Sequence, residues 1–305
     1  MKKISKTVVF FGSGPVAAES LKRLNEDFTI EAVITKPRAP HHKGTVPVLE
    51  LAESLGINIY TADSKAALDS IFDIQHFKSD LAILIDFGII VSRKVIDYFG
   101  LGIINSHFSI LPEWRGADPI TFALLSGQEK TGVSLMLLVE KMDEGPLLHF
   151  EEIKIPSSYD NPQLTKALIE CSSSLLRQIV PKYINGEIKP FNQDKTGRKV
   201  SYSRKISTLD SRLDFTKTAE TLEREIRAYI GWPGSKIELK DKSIIITKTH
   251  ISNEYVKPGI FEIQNKNVLL VGTSSTALSI DELKPAGKNN MDVKSFLAGN
   301  THLFL

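Results

Sequence analysis

The chain has 305 residues, 42% hydrophobic and 24% charged, the make-up of an ordinary soluble globular protein with room for two domains. Its single cysteine, Cys171, excludes an internal disulfide and a thiolate metal site and suits a reducing cytosol. The run VVFF after the basic MKKISKT is too short for a signal-peptide core, and no run is long enough to span a membrane.

The net charge of +2 hides an asymmetry. Residues 1–180 hold 18 Lys+Arg against 22 Asp+Glu, a balance of −4, and residues 181–305 hold 20 against 14, a balance of +6. A basic C-terminal part fits a polyanionic partner such as RNA, and it equally fits a solvated surface.

Residues 8–11 are a short apolar run of β-branched and aromatic residues, the pattern of a buried strand. They lead into Gly12-Ser13-Gly14-Pro15-Val16-Ala17, and a helical pattern opens at about Val16. Strand, glycine-rich turn and helix match the dinucleotide fingerprint Gly-x-Gly-x-x-Ala. That fingerprint also needs an acidic residue closing the second strand. Here EAVIT (31–35) ends in Thr35-Lys36, so a nicotinamide cofactor is not expected. The loop KPRAPHHKGT (36–45) is either solvated or an arm touching phosphates through Lys36, Arg38 and Lys43. Its adjacent His41 and His42 lack the spacing of a metal site. A helix is expected over 46–55, a strand over 57–60, a helix from about Ser64, and a buried strand over 81–85 that ends in Asp86-Phe87-Gly88.

The most informative stretch is GIINSHFSILPEWRGADP (102–119). An apolar run leads into Asn105, Ser106 and His107, and strand alternation points Asn105 and His107 to the same side. The amide can donate to a developing oxyanion, and the imidazole can move a proton near neutral pH. Asp143, in the turn of EKMDEGPLL (140–148), is the candidate to orient the imidazole. Arg115 could hold a phosphate or a glutamyl tail, or it could cap carbonyls as a structural residue. A helix over 119–126, strands over 133–139 and 147–155, and a long helix over 161–184 follow. Short apolar strands alternating with helices over about 180 residues imply a doubly wound, mostly parallel α/β sheet of Rossmann-like kind. Ligands of such sheets sit beyond the strands' carboxyl ends, where Gly12, Asp86, Asn105, His107 and Asp143 all fall.

This N-terminal domain is expected over 1–189, and the polar, basic segment 190–206 reads as a linker. From 207 to 305 the pattern changes. A helix over 215–229 with Thr216 as N-cap, a GWPG turn (231–234), and short strands at 236–239, 243–250, 259–263, 267–271 and 278–283 suggest a small β-barrel of the oligonucleotide-binding kind. A last helix follows.

Asn-x-His-x-Ser-Ile-Leu-Pro at 105–112, Trp-Arg-Gly-Ala-x-Pro at 114–119 and the Asp-x-Gly turn at 143–145 together resemble the folate-dependent formyltransferases. Leu-x-Pro-Ala-Gly-Lys at 283–288 resembles the C-terminal domain of the members that act on methionyl-tRNA. The resemblance implies that Asn105, His107 and Asp143 are the catalytic trio. It implies that Ser109, Ile110, Leu111 and Pro112 contact the tetrahydrofolate, and that the Asp86, Phe87 and Gly88 segment reads the pterin through its backbone. Asp86 stands where the family usually has a small or apolar residue, and either bonds the ligand or caps the next helix. Lys36, Arg38 and Lys43, in a loop shorter than the family's acceptor-stem insertion, together with Arg204 and Lys205, would meet the tRNA.

The implied reaction is formyl transfer from 10-formyltetrahydrofolate, as co-substrate and without a metal, to the α-amine of initiator methionyl-tRNA for translation initiation. The protein would be a cytoplasmic monomer. The alternative on the same fold is a nucleotide-sugar or small-amine N-formyltransferase. A non-catalytic RNA-binding protein is disfavoured by the presence of all three polar residues.

Overall fold

The computed structural model describes residues 6–38, 44–240 and 242–304. The chain divides into two compact units: Met1–Pro119, Lys130–Lys154 and Thr165–Ser203 form one, and Ile120–Glu129, Ile155–Leu164 and Arg204–Leu305 the other.

In chain order the first part runs β1 (Thr7–Phe11), α1 (Pro15–Asp27), β2 (Thr29–Thr35), α2 (Pro47–Ser54), β3 (Asn58–Thr61), α3 (Lys65–Ile74), β4 (Ala82–Leu84), α4 (Arg93–Tyr98), β5 (Ile103–His107), β6 (Arg115–Gly116), α5 (Pro119–Ser126), β7 (Lys130–Leu137), β8 (Leu147–Lys154), α6 (Asn161–Ile184) and β9 (Tyr202–Ser203). Its main sheet has the order β3-β2-β1-β4-β5-β7-β8. The strands from β3 to β5 are parallel, and β7 and β8 add on antiparallel. This is the mostly parallel α/β sheet that the strand–helix alternation implies. Helix starts follow local chemistry. Ser64 and Ser92 accept from the backbone N–H groups of Ala67 and Val95, both at 3.3 Å, and Pro15 and Pro47 occupy first turns, where a missing N–H costs nothing. Burial on both faces explains the unbroken apolar runs of β1 and β4. Phe11 anchors one face, with ring centroids 5.4 Å from Phe87 and 6.1 Å from Phe99.

Residues 190–203, read as linker, lie with the first unit. Phe191 and Leu147 exchange two backbone hydrogen bonds of 2.8 and 2.9 Å. β9 pairs in parallel with β6, and Arg198 bridges to Glu113 at 2.8 Å and to Glu152. The polar composition that marks a tether in sequence supplies this segment's docking bonds.

The second unit continues with α7 (Ala219–Ala228), β10 (Ser235–Leu239), β11 (Lys242–Ile251), β12 (Phe261–Gln264), β13 (Val268–Gly272), β14 (Ala277–Pro285), β15 (Met291–Asp292) and α8 (Val293–Asn300). Its antiparallel sheet has the order β10-β11-β14-β13-β12, with β15 on β14. It packs Ile244, Leu269, Leu278 and Ile280 against Leu222 and Ile226 of α7 and Phe296 of α8. Among the described residues no helix is long and apolar enough to cross a membrane.

The expected cap at Thr216 is corrected. α7 begins at Ala219, and the Thr218 side chain accepts from Thr221 N–H. Asp214 engages both the Thr216 N–H, at 3.0 Å, and its hydroxyl, at 2.7 Å, so Thr216 closes a turn ahead of the helix. Thr218→Ala should therefore cost about 1 kcal/mol in urea unfolding, whereas Thr216→Ala, at an exposed turn, should stay within about 0.5 kcal/mol.

Candidate active site

β5 is buried along its whole length, between β4 and β7, with Asn105 opposite Leu84 and Met136 and His107 opposite Ser134. Alternation on this strand brings the Asn105 and His107 side chains, each 7% exposed, to one place. Asp143 joins them from the turn between β7 and β8. Its Oδ1 accepts from Asn105 Nδ2 at 3.4 Å and lies 3.8 Å from His107 Nδ1, and its Oδ2 accepts from Gly116 N–H at 2.8 Å. His107 Nε2 is 3.0 Å from the Trp114 carbonyl oxygen. A carbonyl can only accept, so Nε2 carries a hydrogen and donates it, and the Nδ1 edge faces the carboxylate. An amide donor, an imidazole and a carboxylate thus converge at the carboxyl end of a central strand.

Gln193 escaped the sequence reading. Its amide nitrogen donates to the carbonyls of Asp143, at 2.7 Å, and Gly145, at 2.9 Å, and its oxygen accepts from Arg115 Nη2 at 2.7 Å. With Glu144 3.4 Å from Nη1, Arg115 takes the structural role rather than that of a free anion holder. Ser201 and Ser203 hydroxyls accept from the N–H groups of Trp114 and Asp118, at 2.9 and 3.1 Å. The signal that could have found these residues is a Gln and spaced Ser residues in a segment with little apolar content.

The segment expected to meet the folate is enclosed by protein in this structure. Ser109, Ile110 and Leu111 are at most 1% exposed, and Pro112 is buried too. Ser134 Oγ donates to the Ser109 carbonyl at 2.7 Å and accepts from Leu111 N–H at 2.9 Å, and the Leu111 side chain joins Met136 and Leu147 in a small core. At the β4 end, Phe87 faces the core, while Asp86 and Gly88 are exposed and adopt positive φ, +49° and +65°.

Asp86 does not cap α4, whose N-cap is Ser92. Its carboxylate lies against Gly14, where an added Cβ would come within 2.2 Å of Oδ2, and its carbonyl accepts from Ser13 N–H at 3.0 Å. Although the residue is exposed overall, packing of its carboxyl end raises the Asp86 pKa to about 6; Lys36 opposes the rise and Asp118 adds to it. The Lys36 ammonium sits beside Gly88. Arg38 is paired with Glu50 at 2.9 Å, and Arg204 forks onto Asp210 and lies 5.9 Å from the Phe122 ring centroid. Lys205 is exposed, and Lys43 lies outside the described residues. No cluster of three or more His, Cys, Asp or Glu that could hold a metal occurs among the described residues.

Comparison with known families places the chain among the one-carbon transferases of the formyl transfer type. The chain matches the formyl transferase model over residues 5–180 and the formyl transferase C-terminal domain model over 205–301, and it belongs to the formyl transferase family. Similar relatives include the methionyl-tRNA formyltransferases of Bacillus licheniformis, 32% identical over 96% of this chain and 94% of the relative, and of Herpetosiphon aurantiacus, 32% identical over 96% and 97%. Among solved structures, the sugar 3N-formyl transferase WlaRD with dTDP and 5-N-formyl-THF superposes with a TM-score of 0.68 at 20% identity, covering 94% of this chain and 100% of that one. HypX from Aquifex aeolicus with tetrahydrofolic acid gives 0.64 at 14%, covering 96% and 46%. These two likenesses show the fold alone.

The Asp86 shift has a definite sign. Between the ordinary value of 3.8 and about 6, the folded state holds a proton that the unfolded chain has released, so this group's contribution to stability is present below 3.8 and lost as pH rises through about 6. Asp86→Asn should therefore melt above the parent at about pH 8, and the gap should close toward about pH 4. A gap that is the same at both would contradict the assignment.

Proposed function

We propose that this chain transfers the formyl group of 10-formyltetrahydrofolate to the α-amine of initiator methionyl-tRNA, as a cytoplasmic monomer. The observation that carries the reading is the convergence of Asn105, His107 and Asp143 at the carboxyl end of β5. Likeness to curated methionyl-tRNA formyltransferases over 96% of the chain supports the choice of acceptor.

The amine nitrogen attacks the formyl carbon, and the bond from that carbon to the folate N10 breaks. Asn105 Nδ2 hydrogen-bonds the oxygen that takes up negative charge; losing one such donor costs about 3–4 kcal/mol of barrier. His107 moves the proton from the attacking amine to the departing nitrogen, a contribution of roughly 10²–10⁴ in rate. Asp143 orients the imidazole. The 3.8 Å separation of Nδ1 and Oδ1 is of the loose kind common before substrate binds.

The fit of the donor rests on the turn at Asp86, Phe87 and Gly88, which offers main chain to the pterin edge, with the buried Ser109, Ile110, Leu111 and Pro112 backing the site. The second unit is the RNA-binding part, in keeping with the basic balance beyond residue 180. Arg38 and Arg204 exchange their carboxylate partners for phosphates, alongside Lys36, Lys43 and Lys205.

Formylation of charged initiator tRNA with 10-formyltetrahydrofolate tests the reading. Asn105→Ala and His107→Ala should each lower turnover by at least about 10²-fold with unchanged melting temperature. Near-normal rates in either would refute the roles. tRNA binding in a gel shift should weaken steeply between about 50 and 200 mM salt; salt-independent or absent binding, with formylation of an amino-sugar nucleotide, would favour the sugar alternative.

A further inference from the structure

We propose that Gln193 is a positioning residue for the catalytic pair His107 and Asp143. The inference rests on the roles assigned above. Gln193 is 6% exposed, and every hydrogen-bonding capacity of its amide is used. The nitrogen donates to the carbonyls of Asp143 and Gly145, at 2.7 and 2.9 Å, and the oxygen accepts from Arg115 Nη2 and Nε, at 2.7 and 3.2 Å. One end therefore grips the turn that carries Asp143, and the other grips the residue between Trp114 and Gly116.

Those two segments hold opposite edges of one imidazole. The Trp114 carbonyl accepts from His107 Nε2, and Asp143 Oδ1 faces Nδ1. The Gly116 N–H in turn fixes Asp143 Oδ2. The Gln193 amide thus sets the spacing between the two contacts that orient His107.

The turn cannot hold this geometry by local preference. Asp143 has φ +52°, in the left-handed region that a non-glycine residue adopts only when its surroundings require it. A Cβ at Gly145 would lie 1.8 Å from the Leu137 carbonyl oxygen, so the turn is pressed onto β7 and has no slack. Gln193 itself is anchored independently of the site. The backbone pair between Phe191 and Leu147 lies two residues upstream, and the Phe191 side chain packs on Leu111, Met136 and Leu147. Thr196 Oγ1 donates to the Gln193 carbonyl at 2.7 Å.

Gln193→Glu keeps an acceptor for Arg115 but turns a carboxylate oxygen toward two carbonyls that need donors. Gln193→Met keeps the length with neither donor nor acceptor, and decides the matter if the first variant does not fold. In the full-length protein, either variant should lower kcat by about 10–100-fold while KM for both substrates stays within about threefold. In an Asp143→Asn background the same change should cost at least about threefold less than in the parent, because one of the two contacts that Gln193 spaces is already lost. Independently of activity, exchange of the His107 Nε2–H with water, followed by NMR in the substrate-free protein, should quicken by at least about tenfold at unchanged melting temperature. Losses that multiply in the double variant, or an unmoved exchange rate, would overturn the proposal. A parent that forms no formylmethionyl-tRNA would end the functional reading instead, and the exchange rate alone would then decide the role of Gln193.

Discussion

A single backbone hydrogen bond, from Gly116 N–H to Asp143 Oδ2 at 2.8 Å, determines which way the site's carboxylate points. With that oxygen committed, the other is left to face Asn105 Nδ2 and His107 Nδ1. Charge-assisted bonds of this kind are short and directional, and in a pocket where Asp143 is only 11% exposed no water layer loosens them. Sheet order supplies the rest. β5 lies between the parallel half of the sheet and the antiparallel pair, and β7 brings the Asp143 turn back to the strand that carries Asn105 and His107. Two residues from alternating positions of one strand and a third from the turn after an adjacent strand are as rigid a placement as a fold of this class offers.

Those three residues were legible in the sequence because each lies next to a strong local signal. Asn105 and His107 end an apolar strand, and Asp143 stands in a Gly- and Pro-containing turn. Most strands and helices of the first 184 residues were legible for the same reason, down to the bounds of Pro119–Ser126 and Asn161–Ile184. Gln193 was not, and neither was the docking of residues 190–203. Their bonds are polar and distant in sequence, 50 positions from Gln193 to Asp143 and 78 to Arg115. Hydrophobic periodicity carries no trace of such pairings.

The glycine-rich turn after β1 shows how one pattern can serve two ends. In a dinucleotide site its glycines admit a pyrophosphate. Here they admit protein. A Cβ at Gly12 would come within 2.6 Å of Ala17 Cβ and 2.8 Å of the Ile85 carbonyl, and one at Gly14 would strike Asp86. Close packing of the β1 and β4 ends accounts for both positions without a nucleotide. The same packing lifts the Asp86 pKa to about 6, so its charge changes near neutral pH beside Gly14 and Lys36.

Net charge and available charge differ in the same way. The surplus of cations beyond residue 180 is a property of composition, but Arg198 is spent on Glu113 and Glu152, Arg204 on Asp210, and Lys217 on Glu225. A phosphate competes with a carboxylate for such a guanidinium on nearly equal terms, since both are anions that offer two oxygens to its planar fork of donors. The gain on binding is then the difference between two pairings, which is smaller than the value of either. The sequence count therefore overstates the pull on a polyanion. What distinguishes one cation from another is whether its carboxylate partner sits on the same short segment, as Asp210 does for Arg204 six residues away, or ties down a distant one, as Glu113 does for Arg198 across 85. The first can change partners by a local rearrangement, whereas the second would release the segment that carries Gln193.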